Sequence, residues 1–240
     1  AGVDKMKSLV QTNPEQASEE AGTLLKGKNK KNVDLVTSIA HIYLNAGKLT
    51  DAQEYLAMAK KANNKDPKVS VLEGDIALAQ KNVGQACQLY EQAIYFDPNC
   101  KEAYLKYAQA YKSASPSLAI EKLEQLKAVE PDCLEADKEL AEVYYSSNRF
   151  DKAAAMYAKF INTPLATEDD MLKYAFALFL NHDFEKSLQI ARKGLQANAR
   201  HAAFNRLAMY NNTDLKRYED AEKAADAFFH ASDNADYSYL

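Results

Sequence analysis

The sequence predicts an all-α protein built as a string of antiparallel helix hairpins, and three observations predict it. The first is composition. The 240 residues include only seven Gly and six Pro, with 47% hydrophobic and 27% charged, which favours long helices with short connections around a sizeable core. The second is a column of small residues, Ala40, Gly74, Ala108, Ala141, Ala175 and Ala208, at successive steps of 34, 34, 33, 34 and 33. The third is another small column about twelve residues behind it, formed by Ala52, Ala86, Ala119, Ala153, Ser187 and Ala221. A fixed period of this length marks a stacked repeat.

Residues 1–32 read as a degenerate leading repeat. GVDKMKSLV (2–10) fits a shortened first helix, and NPEQASEEAGTLLKGKNK (13–30) fits a second helix through Ala17, Ala21 and Leu24. Six units follow, at approximately 33–66, 67–100, 101–133, 134–167, 168–200 and 201–234. In each first helix, one turn beyond the small residue, stand Tyr43, Ala77, Tyr111, Tyr144, Leu178 and Asn211 on the same face. In each second helix the small residue is followed at i+4 by Leu56, Tyr90, Leu123, Tyr157, Ala191 and Ala225. At i+7 come Ala59, Ala93, Leu126, Phe160, Gly194 and Phe228, completing an amphipathic series. Ala191 and Gly194 are expected to weaken the second helix of the fifth unit.

Polar turns separate the two helices of a unit: NAGKLTD (45–51), AQKNVGQ (79–85), SSNRFDK (146–152) and NHDFEKS (181–187). Asp66-Pro67, Asp97-Pro98, Glu130-Pro131 and Thr163-Pro164 punctuate the junctions between units. Proline suits the first turn of a helix and not its interior, so each is expected to open the next first helix. DNADYSYL (233–240) matches the start of a further repeat, occupying 235–240, so the native chain is expected to continue beyond Leu240.

Several function classes find no support. A net charge of -4 supplies no electrostatic footprint for nucleic acid. No apolar run approaches the roughly 20 residues of a membrane span. No Gly-rich phosphate loop, metalloprotease helix motif, C-x-x-C or nucleophile elbow is present. Neither a catalytic residue, nor a cofactor site, nor a metal site is therefore expected. His41 and His182 lie in different units and His201 and His230 at opposite ends of another, with no cysteine nearby, which makes satisfied or exposed histidines the expectation rather than a zinc site. Cys87, Cys100 and Cys133 are read as small apolar packing residues, Cys100 and Cys133 at equivalent places in adjacent hairpins. Asp169 and Asp170 suit the electropositive start of a helix. Asn211-Asn212-Thr213 would accept a glycan in a eukaryotic secretory pathway.

The pattern resembles the tetratricopeptide repeat (TPR) family. Unit 67–100 matches best, through Gly74, Ala86, Tyr90, Ala93 and Pro98, and unit 134–167 follows through Ala141, Tyr144, Ala153, Tyr157 and Pro164. The resemblance implies a right-handed superhelical solenoid of about six to seven repeats. It also implies a non-enzymatic scaffold that binds a protein or peptide partner in a concave groove lined by first helices. The Asn- and Lys-rich, Trp-free repeats are similar to those of exported bacterial members of the family. A periplasmic or envelope-associated location is expected on that ground, with a cytoplasmic one as the alternative.

Residues beside the packing columns of the first helices are expected to face the groove. These are His41 and Asn45, Asp75, Lys106 and Gln109, then Glu139 and Glu142, followed by Asn205 and Asn212 near the end. Among them stands an aromatic and methionine patch, Tyr145, Phe176, Phe179 and Met209, flanked by Lys173 and Arg206. These six are the candidate partner-binding residues, since aromatic anchors with a charged rim suit a peptide or helix. Burial as core against a further repeat would explain the same side chains. One subclass of the family grips chaperone carboxylates with Lys, Asn and Arg in its first three repeats. The corresponding positions here hold Thr37, His41, Leu72, Glu102 and Lys106, so that clamp is absent. Two further readings remain: a regulatory or accessory region of a larger protein with domains after residue 240, and a self-associating structural module.

Overall fold

The computed structural model describes residues 2–231, and the expected start of a further repeat at 235–240 lies outside them. The described residues form fourteen α-helices and one short 3-10 helix at Gly27–Lys31, with no strand. Two compact units divide the chain, one ending at Pro131 and one beginning at Asp132. The first contains α1 (Gly2–Thr12), α2 (Pro14–Leu24), α3 (Val33–Asn45), α4 (Leu49–Asn63), α5 (Pro67–Ala79), α6 (Val83–Phe96), α7 (Lys101–Tyr111) and α8 (Pro116–Val129). The second contains α9 (Leu134–Ser146), α10 (Phe150–Phe160), α11 (Glu168–Leu180), α12 (Phe184–Ala197), α13 (Ala202–Asp214) and α14 (Tyr218–Ala231). In both, each odd-numbered helix packs on its successor as a hairpin. First helices also meet one another, α3 on α5 and α5 on α7 in one unit, α11 on α13 in the other.

Short polar side chains start these helices by accepting the orphan amides of the first turn. Asn13, Asn32, Asn82 and Asp183 do so for α2, α3, α6 and α12. Thr167 and Asp170 form a reciprocal capping box on α11. The prolines divide into two groups. Pro67 opens α5, as expected, beside the capping Asp66, and Pro14 and Pro116 open α2 and α8. Pro98, Pro131 and Pro164 instead sit in the turns before α7, α9 and α11. Cys100 and Cys133 hold the cap positions of α7 and α9, and the turn at Pro98 is closed by the Asn99 amide donating to Asp97 Oδ1 at 2.9 Å.

Within a hairpin the chain reverses through one left-handed residue. Gly47 (φ 73°), Lys81 (63°), Asn148 (57°), His182 (61°) and Lys216 (59°) occupy equivalent places. In each case the next residue's amide donates back to the fifth residue before it, as from Lys48 to Tyr43 at 2.9 Å and Asp183 to Leu178 at 2.9 Å. Four of the five carry a side chain and so bear a strain of about 1 kcal/mol each. The hairpin of α7 and α8 differs: Pro116 follows Ser115, whose amide donates to the Tyr111 carbonyl at 2.8 Å.

Both small columns are buried throughout, which is what lets the helices approach. Gly74 shows how close. A Cβ there would lie 2.5 Å from the ring of Tyr90, itself fully buried. The fifth unit reverses the arrangement, which corrects the expectation that its second helix is weak. A Cβ on Gly194 would lie 2.3 Å from the ring of Phe204, so α12 is small there because α13 inserts a fully buried phenylalanine.

The glycines therefore predict opposite outcomes in urea unfolding followed by circular dichroism. Gly74→Ala overpacks against a ring that cannot retreat and loses about 1–3 kcal/mol. Gly22→Ala, on α2 with nothing within 4 Å of the new methyl, gains about 0.5–1 kcal/mol from helix propensity.

Candidate functional site

The first-helix face of each unit carries an ordered set of charges. In the first unit, Asp75 on α5 is only 10% exposed and accepts from three elements. Tyr90 on α6 donates its hydroxyl to Oδ1 at 2.8 Å, His41 Nε2 on α3 lies 2.8 Å from Oδ2, and Lys106 Nζ on α7 lies 3.0 Å from the same atom. His41 Nδ1 also lies 2.9 Å from the Thr37 carbonyl. Burial alone would raise the Asp75 carboxyl above its ordinary range. The bonds from His41 and Tyr90 and the charge of Lys106 outweigh it and hold the group below. Burial and the adjacent Asp75 charge push the Tyr90 hydroxyl strongly up, so it stays a donor.

The second unit repeats the set. Glu142 on α9 accepts from the Tyr157 hydroxyl on α10 at 3.2 Å and from Lys173 Nζ on α11 at 3.0 and 3.1 Å. Asp169 adds a contact to Lys173 at 2.7 Å. Burial would lower the Lys173 ammonium, but its bonds to Asp169 and Glu142 prevail and raise it.

Beside this second set, α9, α11 and α13 enclose an open cavity of about 270 Å³. Four of the six expected partner-binding residues line it: Tyr145, Lys173, Phe176 and Arg206. Asp169, Leu172, Ala203 and Leu207 complete the wall. The i, i+4 spacing of Ala203 and Leu207 is the sequence signal that these two share a face. Lys173 is committed to two carboxylates, whereas the guanidinium of Arg206 has no ion pair or hydrogen bond among the described residues.

The other two expected residues lie outside this lining. Phe179 belongs to an aromatic cluster, its ring centroid 5.6 Å from Phe184, 6.0 Å from Tyr210 and 6.4 Å from Phe176. Met209 is half-buried on α13. Asn205 and Asn212, expected to face the groove, are buried instead, Asn205 donating to the Ala199 carbonyl at 2.9 Å. Asn211 is fully buried and donates to Ser187 Oγ and to the Leu207 carbonyl, both at 2.8 Å, while Ser187 donates to the Ala175 carbonyl at 2.7 Å. It joins α11, α12 and α13, so in the folded chain it is no glycan acceptor.

All three cysteines are free thiols. Burial pushes Cys87 up to about 11 and Cys100 up as well, so neither is an activated thiolate. Among the described residues no three His, Cys, Asp or Glu side chains converge on a metal position. No helix among them is long and apolar enough to cross a membrane.

The lowered carboxyl of Asp75 predicts an acid-sensitive stability. Its contribution is complete above the ordinary value of 3.8 and is lost as pH falls through the lower folded value. Asp75→Asn should cost about 2 kcal/mol at pH 7 by removing the buried charge that His41 and Lys106 share, which leaves Lys106 only Glu102 at 3.6 Å. In urea titrations between neutral pH and about pH 2, the variant should show a correspondingly shallower acid loss than the wild type.

A family model described as tetratricopeptide repeat matches residues 37–100 and 109–166. The human protein named tetratricopeptide repeat protein 21A is 28% identical over 204 residues, an alignment covering 74% of this chain and 15% of that protein. Among solved structures, the C-terminal part of a TPR repeat-containing protein from Cytophaga hutchinsonii shares 17% identity with a TM-score of 0.68, covering 97% of this chain and 96% of that one. YrrB, described as a TPR protein with an unusual peptide-binding site, shares 14% identity with a TM-score of 0.56, covering 77% of this chain and 95% of its own. At these identities the solved structures speak for the fold. The family match extends over half of the sequence and falls on hairpins that carry the small columns and the buried tyrosines: the chain belongs to the tetratricopeptide repeat family.

Proposed function

We propose that the protein is a non-enzymatic interaction scaffold that captures a peptide segment of a protein partner on the first-helix face between α9, α11 and α13. The observation that carries this reading is the cavity itself. It combines apolar walls from Leu172, Phe176 and Leu207 with Tyr145 and the unpaired guanidinium of Arg206, the mixture of anchor surface and orienting polar groups that peptide sites use. The peptide-binding site for which YrrB is described supports the same use of the fold. The bacterial envelope is proposed as the compartment, on the Asn- and Lys-rich, Trp-free composition; recovery with the cytosol on cell fractionation decides for the alternative.

Peptides selected from a random display library on the immobilised chain test the site. Phe176→Ala should weaken their binding about tenfold or more while leaving the helical circular dichroism unchanged. Phe179→Ala, which opens the cluster with Phe184 and Tyr210, should lower the melting temperature instead. Equal binding by Phe176→Ala and the wild type removes this cavity from consideration.

A further inference from the structure

The two charge sets occupy the same three places in their repeats. A carboxylate follows directly on the small residue of one first helix: Asp75 after Gly74, Glu142 after Ala141. A tyrosine stands 15 residues later on the second helix, Tyr90 and Tyr157 respectively. A lysine stands two places before the small residue of the next first helix: Lys106 before Ala108, Lys173 before Ala175. Distances repeat along with positions, since lysine and carboxylate meet at 3.0 Å in both.

In the next repeat these places hold Phe176, Ala191 and Arg206. The cation is kept, while the carboxylate and the tyrosine that orients it are gone. Arg206 and Phe176 nevertheless line one cavity, so the vacant acid position opens onto a site and not into packed core. The neighbouring acids meet other side chains, Asp169 with Lys173 at 2.7 Å and Glu168 with His201 at 3.1 Å.

Resting on the binding reading above, we infer that the ligand supplies the missing carboxylate to Arg206. The partner is a peptide segment in which one carboxylate lies beside an apolar side chain that packs on Phe176 and Leu172. Arginine's planar fork pairs with both oxygens of a carboxylate at once, and a half-buried setting makes that pair stronger than an exposed one. Asp169 on the same wall disfavours a second acid close by, which selects an isolated carboxylate over a polyacidic tract. The carboxylate is that of an Asp or Glu side chain within the segment.

The test uses the whole chain and the peptides selected on it, resynthesised with each Asp or Glu replaced by its amide and with the C-terminus as acid or amide. Fluorescence anisotropy should show a loss of about tenfold or more when one particular Asp or Glu is neutralised, whereas a loss on amidating the C-terminus alone would overturn the side-chain assignment. Arg206→Gln should bind every version as weakly as the wild type binds the neutralised one. Arg206→Glu should prefer a peptide with Lys at that position, a gain that misfolding cannot produce. Peptides that depend on Phe176 but tolerate both neutralisation and Arg206→Gln would overturn the carboxylate inference and leave the groove standing. Failure of any peptide to bind the wild type would remove the groove reading and this inference with it.

Discussion

A missing side chain sets the spacing of these hairpins. Where Gly74 faces Tyr90, even a methyl group would come within 2.5 Å of the ring, so the distance between α5 and α6 is the thickness of an aromatic ring resting on bare backbone. That approach brings the Tyr90 hydroxyl to the Asp75 carboxylate on the far side of the contact. The carboxylate, fixed and nearly dry, then holds His41 and Lys106 from the first helices on either side. Packing distance, buried acid and inter-repeat charge form one chain of consequences. A loss at any link leaves a desolvated group unpaired, which costs more than the pair contributes when whole.

The fifth repeat satisfies the same spacing constraint the other way round. Here α12 is small at Ala191 and Gly194, and the aromatic volume arrives from α13 as Phe204. With no tyrosine on α12 to reach back across the hairpin, a carboxylate after Ala175 would have no partner from that side. Phe176 stands there instead. Inverting which helix carries the ring thus removes the acid and its orienting hydroxyl together and leaves an apolar wall at the place that Asp75 and Glu142 hold in their own repeats. The cavity follows from a change in core packing, not from an added loop or insertion.

The fold was legible in the spacing of small residues because close approach permits nothing larger, and every member of both columns is buried. Tyr145, Lys173, Phe176 and Arg206 were legible for a related reason: a fixed offset from a buried column fixes a direction around the helix. A side chain whose partner lies in another element is not legible in this way. Asn211 read as a departure from the pattern and as a glycan acceptor, but Ser187 and the Leu207 carbonyl make it a buried bridge. His182 is exposed, as expected, and its backbone also makes the left-handed turn between α11 and α12. Glycine would have announced that conformation, as Gly47 does, and histidine conceals it.

A repeat protein can make a specific site by omission. In a stack whose members each contact only their neighbours, replacing one residue of a recurring ion pair alters that pair and leaves the packing of the others intact. The surviving member is held in place by the same columns that positioned its counterparts, so it meets a ligand without first having to be ordered. Lys106 and Lys173 carry the same charge on the same face, but both are already spoken for by internal carboxylates. Arg206 differs from them in its partner and not in its placement, and that difference, written in Phe176 and Ala191 as much as in the arginine itself, is what gives this one repeat a face that another protein can complete.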